Sequence, residues 1–121
     1  MTSAASPSLC DRNLPHDVRQ GLFGGRGAVR VWALTARPAV PFTAILACEL
    51  DPGASVGPHV QEHYPEIVIA VSGSGVVAVN GAATPFAAGG VVELAHGHTL
   101  AIDNTAGSEP LRYLIIKAQA G

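Results

Sequence analysis

The feature that most constrains this chain is its punctuation. From Ala28 onward, short runs rich in apolar and β-branched residues (AVRVWALTA, PFTAILACEL, VGPHV, EIVIAV, GVVAVN, AATPF, VVEL, TLAIDN and LRYLIIKA) alternate with turn formers. The separators are Pro38, Pro41, Pro52-Gly53, Gly73-Ser74-Gly75, Asn80-Gly81, Gly89-Gly90 and the segment from Ala106 to Pro110. Runs of this length at this spacing predict an all-β sandwich or barrel. The sharpest turn is Asn80-Gly81, because a two-residue hairpin needs positive φ at both central positions and these two residues tolerate it best. GVVAVN is therefore expected to pair with the run that follows it.

A chain of 121 residues is one domain of ordinary size. Hydrophobic residues make up 48% and charged residues 13%, a balance that favours a packed core over disorder. The formal net charge of −2, without a run of Lys or Arg, argues against nucleic acid and anionic membrane as partners and leaves a small molecule or another copy of the chain. The segment 1–27 reads as a partly disordered leader, with a short turn or helix within LPHDVRQGLFGG, and residues 28–121 as the domain. On that reading, deleting residues 1–13 leaves the melting temperature nearly unchanged. The leader lacks a basic start followed by an apolar core, no apolar run approaches membrane-spanning length, and Cys10 and Cys48 are expected as free thiols in a reducing cytoplasm.

Chemistry concentrates between Gly53 and Gly73, GASVGPHVQEHYPEIVIAVSG. If residues 56–61 form a strand, period-two alternation puts His59 and Gln61 on one face. Glu66 opens the next run, and a hairpin across Glu62, His63, Tyr64 and Pro65 brings it beside them. An inward Glu66 needs a partner, a metal or a proton, because an unpaired buried charge costs several kcal/mol.

This spacing resembles the first motif of the cupin superfamily, G-x5-H-x-H-x(3,4)-E-x6-G. Gly53, His59, Glu66 and Gly73 match it, and Gln61 stands at the second histidine. The second motif, roughly G-x5-P-x-G-D-x(4)-P-x(4)-H-x3-N, fits Gly81 to Asn104 less well: Gly89 and Asn104 match, whereas Ala87, Gly90 and Ala95 depart, and Leu100 occupies the third histidine's slot. The resemblance spans residues 40–118. It implies a cupin double-stranded β-helix (jelly-roll barrel), commonly a homodimer, with a divalent ion such as Fe, Mn, Ni, Zn or Cu held by inward side chains.

Here the implied metal set is His59, Gln61 and Glu66 with His98 or His63, and the implied catalytic pair is His59 and Glu66. Gln61 offers an amide oxygen, weaker than imidazole for first-row metals. His98, two residues before Leu100, and His63, in the loop after Gln61, are the alternatives for the missing imidazole. Arg30 in AVRVWAL points either inward with Trp32 and Leu34 or outward, and periodicity does not decide between the two. No G-x-S-x-G elbow, P-loop, CxxC pair or HExxH helix is present, which excludes serine hydrolases, P-loop NTPases, zinc ribbons and zincins. Two functions remain: a metal-dependent small-molecule enzyme of oxygenase, isomerase or lyase type, and a metal-free cupin that binds or isomerises a small organic ligand, or serves as a non-catalytic binding or regulatory domain.

Overall fold

The computed structural model describes residues 9–62 and 65–119, so of the candidate residues His63 lies outside the described part. Ten strands account for nearly all regular structure: β1 (Asp17–Gln20), β2 (Ala28–Ala33), β3 (Phe42–Leu50), β4 (Ser55–Val60), β5 (Glu66–Ser72), β6 (Ser74–Val79), β7 (Ala82–Ala87), β8 (Val91–Leu94), β9 (Thr99–Asp103) and β10 (Leu111–Ala118). They form two antiparallel sheets, one ordered β1-β2-β3-β10-β5-β8 and the other β4-β9-β6-β7. Asn80 and Gly81 adopt φ of 52° and 83° and connect β6 to β7 with Val79 opposite Ala82, the hairpin the sequence predicts.

The two sheets bury their facing sides against each other. Leu50, Val68, Val77, Phe86, Ile102 and Leu111 are among the side chains that fill the space between them. Each such side chain contributes about 1.5–3 kcal/mol relative to exposure. Alternation along β10 turns Tyr113, Ile115 and Lys117 inward, where all three line one cavity. Along β2 the same alternation turns Val29 and Val31 inward, so Arg30 and Trp32 lie on the outer face.

That outer face carries a polar row in register: Arg30 opposite Glu49, Glu49 opposite Arg112, and Arg112 opposite Ser72. The Glu49 side chain is 2% exposed; Arg12 donates to it at 2.6 and 2.9 Å and Arg112 at 2.8 Å. Burial opposes ionisation, but the two arginines outweigh it and hold the Glu49 carboxyl below the usual range.

Residues 9–27, the described part of the segment before Ala28, pack against the barrel. Trp32 Nε1 donates to the Asp11 carbonyl at 2.8 Å, and the His16 ring stacks on Trp32 with centroids 4.7 Å apart. The Cys10 thiol contacts the Cys48 carbonyl, and β1 pairs with β2 from Asp17 opposite Val31 to Gln20 opposite Ala28. Residues 9–27 are thus bound to the barrel because they complete its outer carboxylate and cover its tryptophan. No helix among the described residues is long and apolar enough to cross a membrane.

Candidate functional site

A β-bulge builds the site. Val56 pairs with Ile102 and His59 with Leu100, so between these pairs two residues of β4, Gly57 and Pro58, stand against one of β9, Ala101. Strict alternation from Val56 would have turned His59 outward. With the bulge, both side chains line an inner cavity of about 120 Å³.

Glu66, Lys117, Arg19 and Phe23 line the same cavity. Glu66 stands opposite Lys117 on β10 and Leu94 on β8, which leaves its side chain 1% exposed. Lys117 Nζ lies 3.7 Å from a Glu66 oxygen, long for a hydrogen bond, and among the described residues neither oxygen has a hydrogen-bond donor. Burial therefore pushes the Glu66 carboxyl up, against the pull of Lys117. His59 moves the other way. Burial lowers its pKa against the opposing Nδ1 contact to the Gly57 carbonyl at 3.2 Å, and Lys117 adds to the lowering. One cavity thus presents a carboxyl inclined to keep its proton and an imidazole inclined to lose one.

The inner wall is inert toward ionisation. Tyr113 is buried beside Cys48, which raises its phenol, and burial pushes the Cys48 thiol up to about 12. Cys10 and Cys48 are both free thiols; Cys48 lines the inner cavity, whereas Cys10 borders a different one with Ser72 and Arg112.

The other candidate ligands do not join His59. Gln61 follows the end of β4, its backbone bonded to the Gly97-His98 turn: Gln61 N donates to the His98 carbonyl, and Gly97 N donates to the Gln61 carbonyl. Its side chain is buried, with Nε2 unpartnered among the described residues, yet it is not part of the inner cavity's lining. His98 precedes β9 and lines a second cavity of about 500 Å³ where β5 begins and β8 and β10 end. Glu66 borders both cavities, so the set predicted from sequence divides around it. Leu100, directly opposite His59 and 1% exposed, fills the third-imidazole slot with an aliphatic side chain. Among the described residues no group of three His, Cys, Asp or Glu converges as a metal site.

Sequence reasoning missed Lys117, Arg19 and Phe23. Lys117 was legible by parity: five positions separate it from Arg112, so in one continuous strand the two point to opposite faces. Nothing in GLFGG marked Phe23 as more than a turn residue.

The model of the family described as "Cupin domain" matches residues 46–117, more than half of the chain. This chain is a cupin. A curated relative, the oxalate-binding protein of Thermotoga maritima, is 36% identical over 95 residues, covering 77% of this chain and 78% of that protein. A crystal structure from the same organism, described as a predicted oxalate decarboxylase, aligns with a TM-score of 0.81 at 30% identity over 87% of this cupin and 92% of that chain. A conserved barrel domain protein of the Cupin 2 type from Salinispora arenicola aligns with a TM-score of 0.68 at 30% identity, covering 86% and 82%. Cupin architecture follows from the family match and from these relatives.

Proposed function

We propose that this cupin binds a small carboxylate, oxalate or a close analogue, in the inner cavity without a resident metal. The observation that carries the reading is the Lys117 ammonium beside Glu66, on the wall of the cavity that His59 and Leu100 also line. A metal-binding cupin would have donors converging on one ion. Here the second imidazole is Gln61, the third is Leu100, and a fixed cation already neighbours the carboxylate, so the donor set does not fit a first-row metal. The same cations suit an anionic ligand. Lys117 and Arg19 supply charge-assisted donors, and Glu66, when protonated, donates as well. A cavity of about 120 Å³ accommodates a molecule of oxalate's size. The names of the Thermotoga maritima relatives support the same ligand class.

The test is calorimetric titration with oxalate before and after chelator treatment. Binding is expected to survive the chelator and to weaken about tenfold or more in Lys117→Met, the loss of one charge-assisted contact. Binding that vanishes with chelator and returns with a divalent metal would overturn the reading in favour of the metal-dependent one.

The opposed protonation tendencies of Glu66 and His59 favour a second reading, in which the cavity also moves a proton on its ligand as an isomerase does. Solvent-deuterium exchange into a bound 2-oxo acid, lost in both His59→Gln and Glu66→Gln, would establish it. Homodimerisation belongs to the same proposal: β1 and β8 are the outer strands of the larger sheet, and β8 exposes Val91. Sedimentation at twice the chain mass is the expected result.

A further inference from the structure

Between β1 and β2 the chain makes a single 3₁₀ turn, Leu22–Gly24, seated against β4. At Ser55 and Gly57 the turn meets β4 backbone on backbone. A Cβ on Gly57 would lie 1.9 Å from the Phe23 carbonyl oxygen, and one on Gly25 would lie 2.1 Å from the Ser55 carbonyl oxygen. Glycine at both positions lets the turn sit directly on the strand that carries His59, and leaves the turn no room to shift inward. What remains adjustable is the one aromatic side chain that it presents.

Phe23 holds φ 53° and ψ 35°, the left-handed region that a bulky residue rarely adopts. Such conformations persist where surrounding structure imposes them and cluster at binding sites. The result is a ring stacked on the His59 imidazole, centroids 4.1 Å apart and planes 12° from parallel. The ring does not serve the core. Leu22 packs against the core cluster, while Phe23 stays outside it at 54% exposure. It lines the inner cavity on one side and meets solvent on the other.

We infer that Phe23 is the gate and size-determining residue of the inner cavity: its ring closes the His59 side, orients the imidazole by stacking, and restricts the ligand to short carboxylates. Ligand length is the property it controls, because the turn behind it is held against β4 and the opposite walls are β-sheet. The part of this inference that concerns carboxylates rests on the proposed function; the gating of His59 does not.

The experiment uses the full chain with Phe23→Ala and Phe23→Gly. The glycine variant suits the left-handed backbone, so it should melt no lower than the wild type and separates gating from misfolding. Titration with oxalate and with glutarate should show the wild type preferring oxalate. Both variants should gain glutarate affinity by about tenfold or more while oxalate changes by less than about threefold, the scale of discrimination that added methylenes meet in a closed pocket. An unchanged oxalate-to-glutarate ratio in variants that bind either ligand would overturn the inference and leave carboxylate binding standing. If the wild type binds neither acid, carboxylate binding fails, and the gate is read without ligand from the rate at which diethyl pyrocarbonate modifies His59 relative to the exposed His96. Several-fold faster modification of His59 in both variants supports the gate, and an equal rate sinks it.

Discussion

Asn104 shows how much one side chain can hold. It is 1% exposed, and its Nδ2 donates to the carbonyls of Leu50, Asp51 and Glu109 at 3.2, 3.1 and 2.9 Å, tying β3 to the segment that leads into β10. Asn104→Ala leaves those acceptors without their donor, and a loss of about 2–4 kcal/mol is expected, read as a fall in Tm of roughly 8–15 °C. The second motif made this residue visible but not its structural role. The cavity residues predict a pH dependence instead. His59 is depressed in the folded state, so between its folded and unfolded values the unfolded chain binds more protons; its contribution is complete above about pH 6.5 and lost as pH falls below that. Glu66 is raised, so the folded state binds more protons above about pH 4.3, and its contribution is lost as pH rises through that window. Thermal melts across this range should show the advantage of Glu66→Gln over the wild type growing with pH, and His59→Gln flattening the rise toward pH 6.5. Equal pH profiles for all three proteins would contradict the buried placement of both groups. Spacing made His59, Glu66 and Leu100 legible because each is a fixed count from a glycine or asparagine. Lys117 and Phe23 belong to no such count, and their role arises only when β10 and the 3₁₀ turn close on β4.

At the scale of elements, the segment before Ala28 changes the expected stability of truncated protein. Removing residues 1–13 takes away the Asp11 carbonyl that accepts from Trp32 and the Arg12 guanidinium on Glu49, leaving a buried indole N–H unpaired and a buried carboxylate with one close arginine instead of two. The melting temperature should fall by about 5 °C or more, in place of the nearly unchanged value expected from a frayed leader. A Tm within about 1 °C of the full chain would show that these contacts contribute little in solution. Composition hid the docking: a Ser/Ala/Pro-rich start reads as frayed, and neither Asp11 nor Arg12 announces a partner about 20–40 positions away. The bulge at Gly57-Pro58 was likewise illegible from alternation. His59 was placed inward for a reason of motif spacing, whereas the structure achieves it by an irregularity. Gly57→Ala tests that element directly, because the new Cβ meets the Phe23 carbonyl. The 3₁₀ turn should separate from β4, with accelerated amide exchange confined to residues 21–27 and the β4 segment beneath them.

For the molecule as a whole, turn punctuation and one motif were enough to read the fold, because a barrel needs only that short strands alternate and turn in the right places. The chemistry inside was less legible, since inward positions on several strands meet regardless of their separation in sequence. That separability makes a strong prediction. If the barrel is a scaffold whose interior residues alone decide between a metal and an anion, then restoring the donor and removing the competing cation should convert one into the other. Leu100 faces His59 across β4 and β9, and Lys117 faces Glu66 across β10 and β5. Leu100→His alone adds an imidazole, a good nitrogen donor at about 2.0–2.1 Å from a bound first-row metal, but leaves an ammonium 3.7 Å from the carboxylate that must also ligate. The double variant Leu100→His, Lys117→Met should therefore bind a divalent first-row metal more tightly than either single change, and should lose oxalate binding unless that metal is present. Calorimetry with zinc and manganese on chelator-treated protein provides the measurement. Equal metal affinity in the wild type and the double variant would mean that positions 59, 66 and 100 do not converge, and the shared cavity would then have to be redrawn.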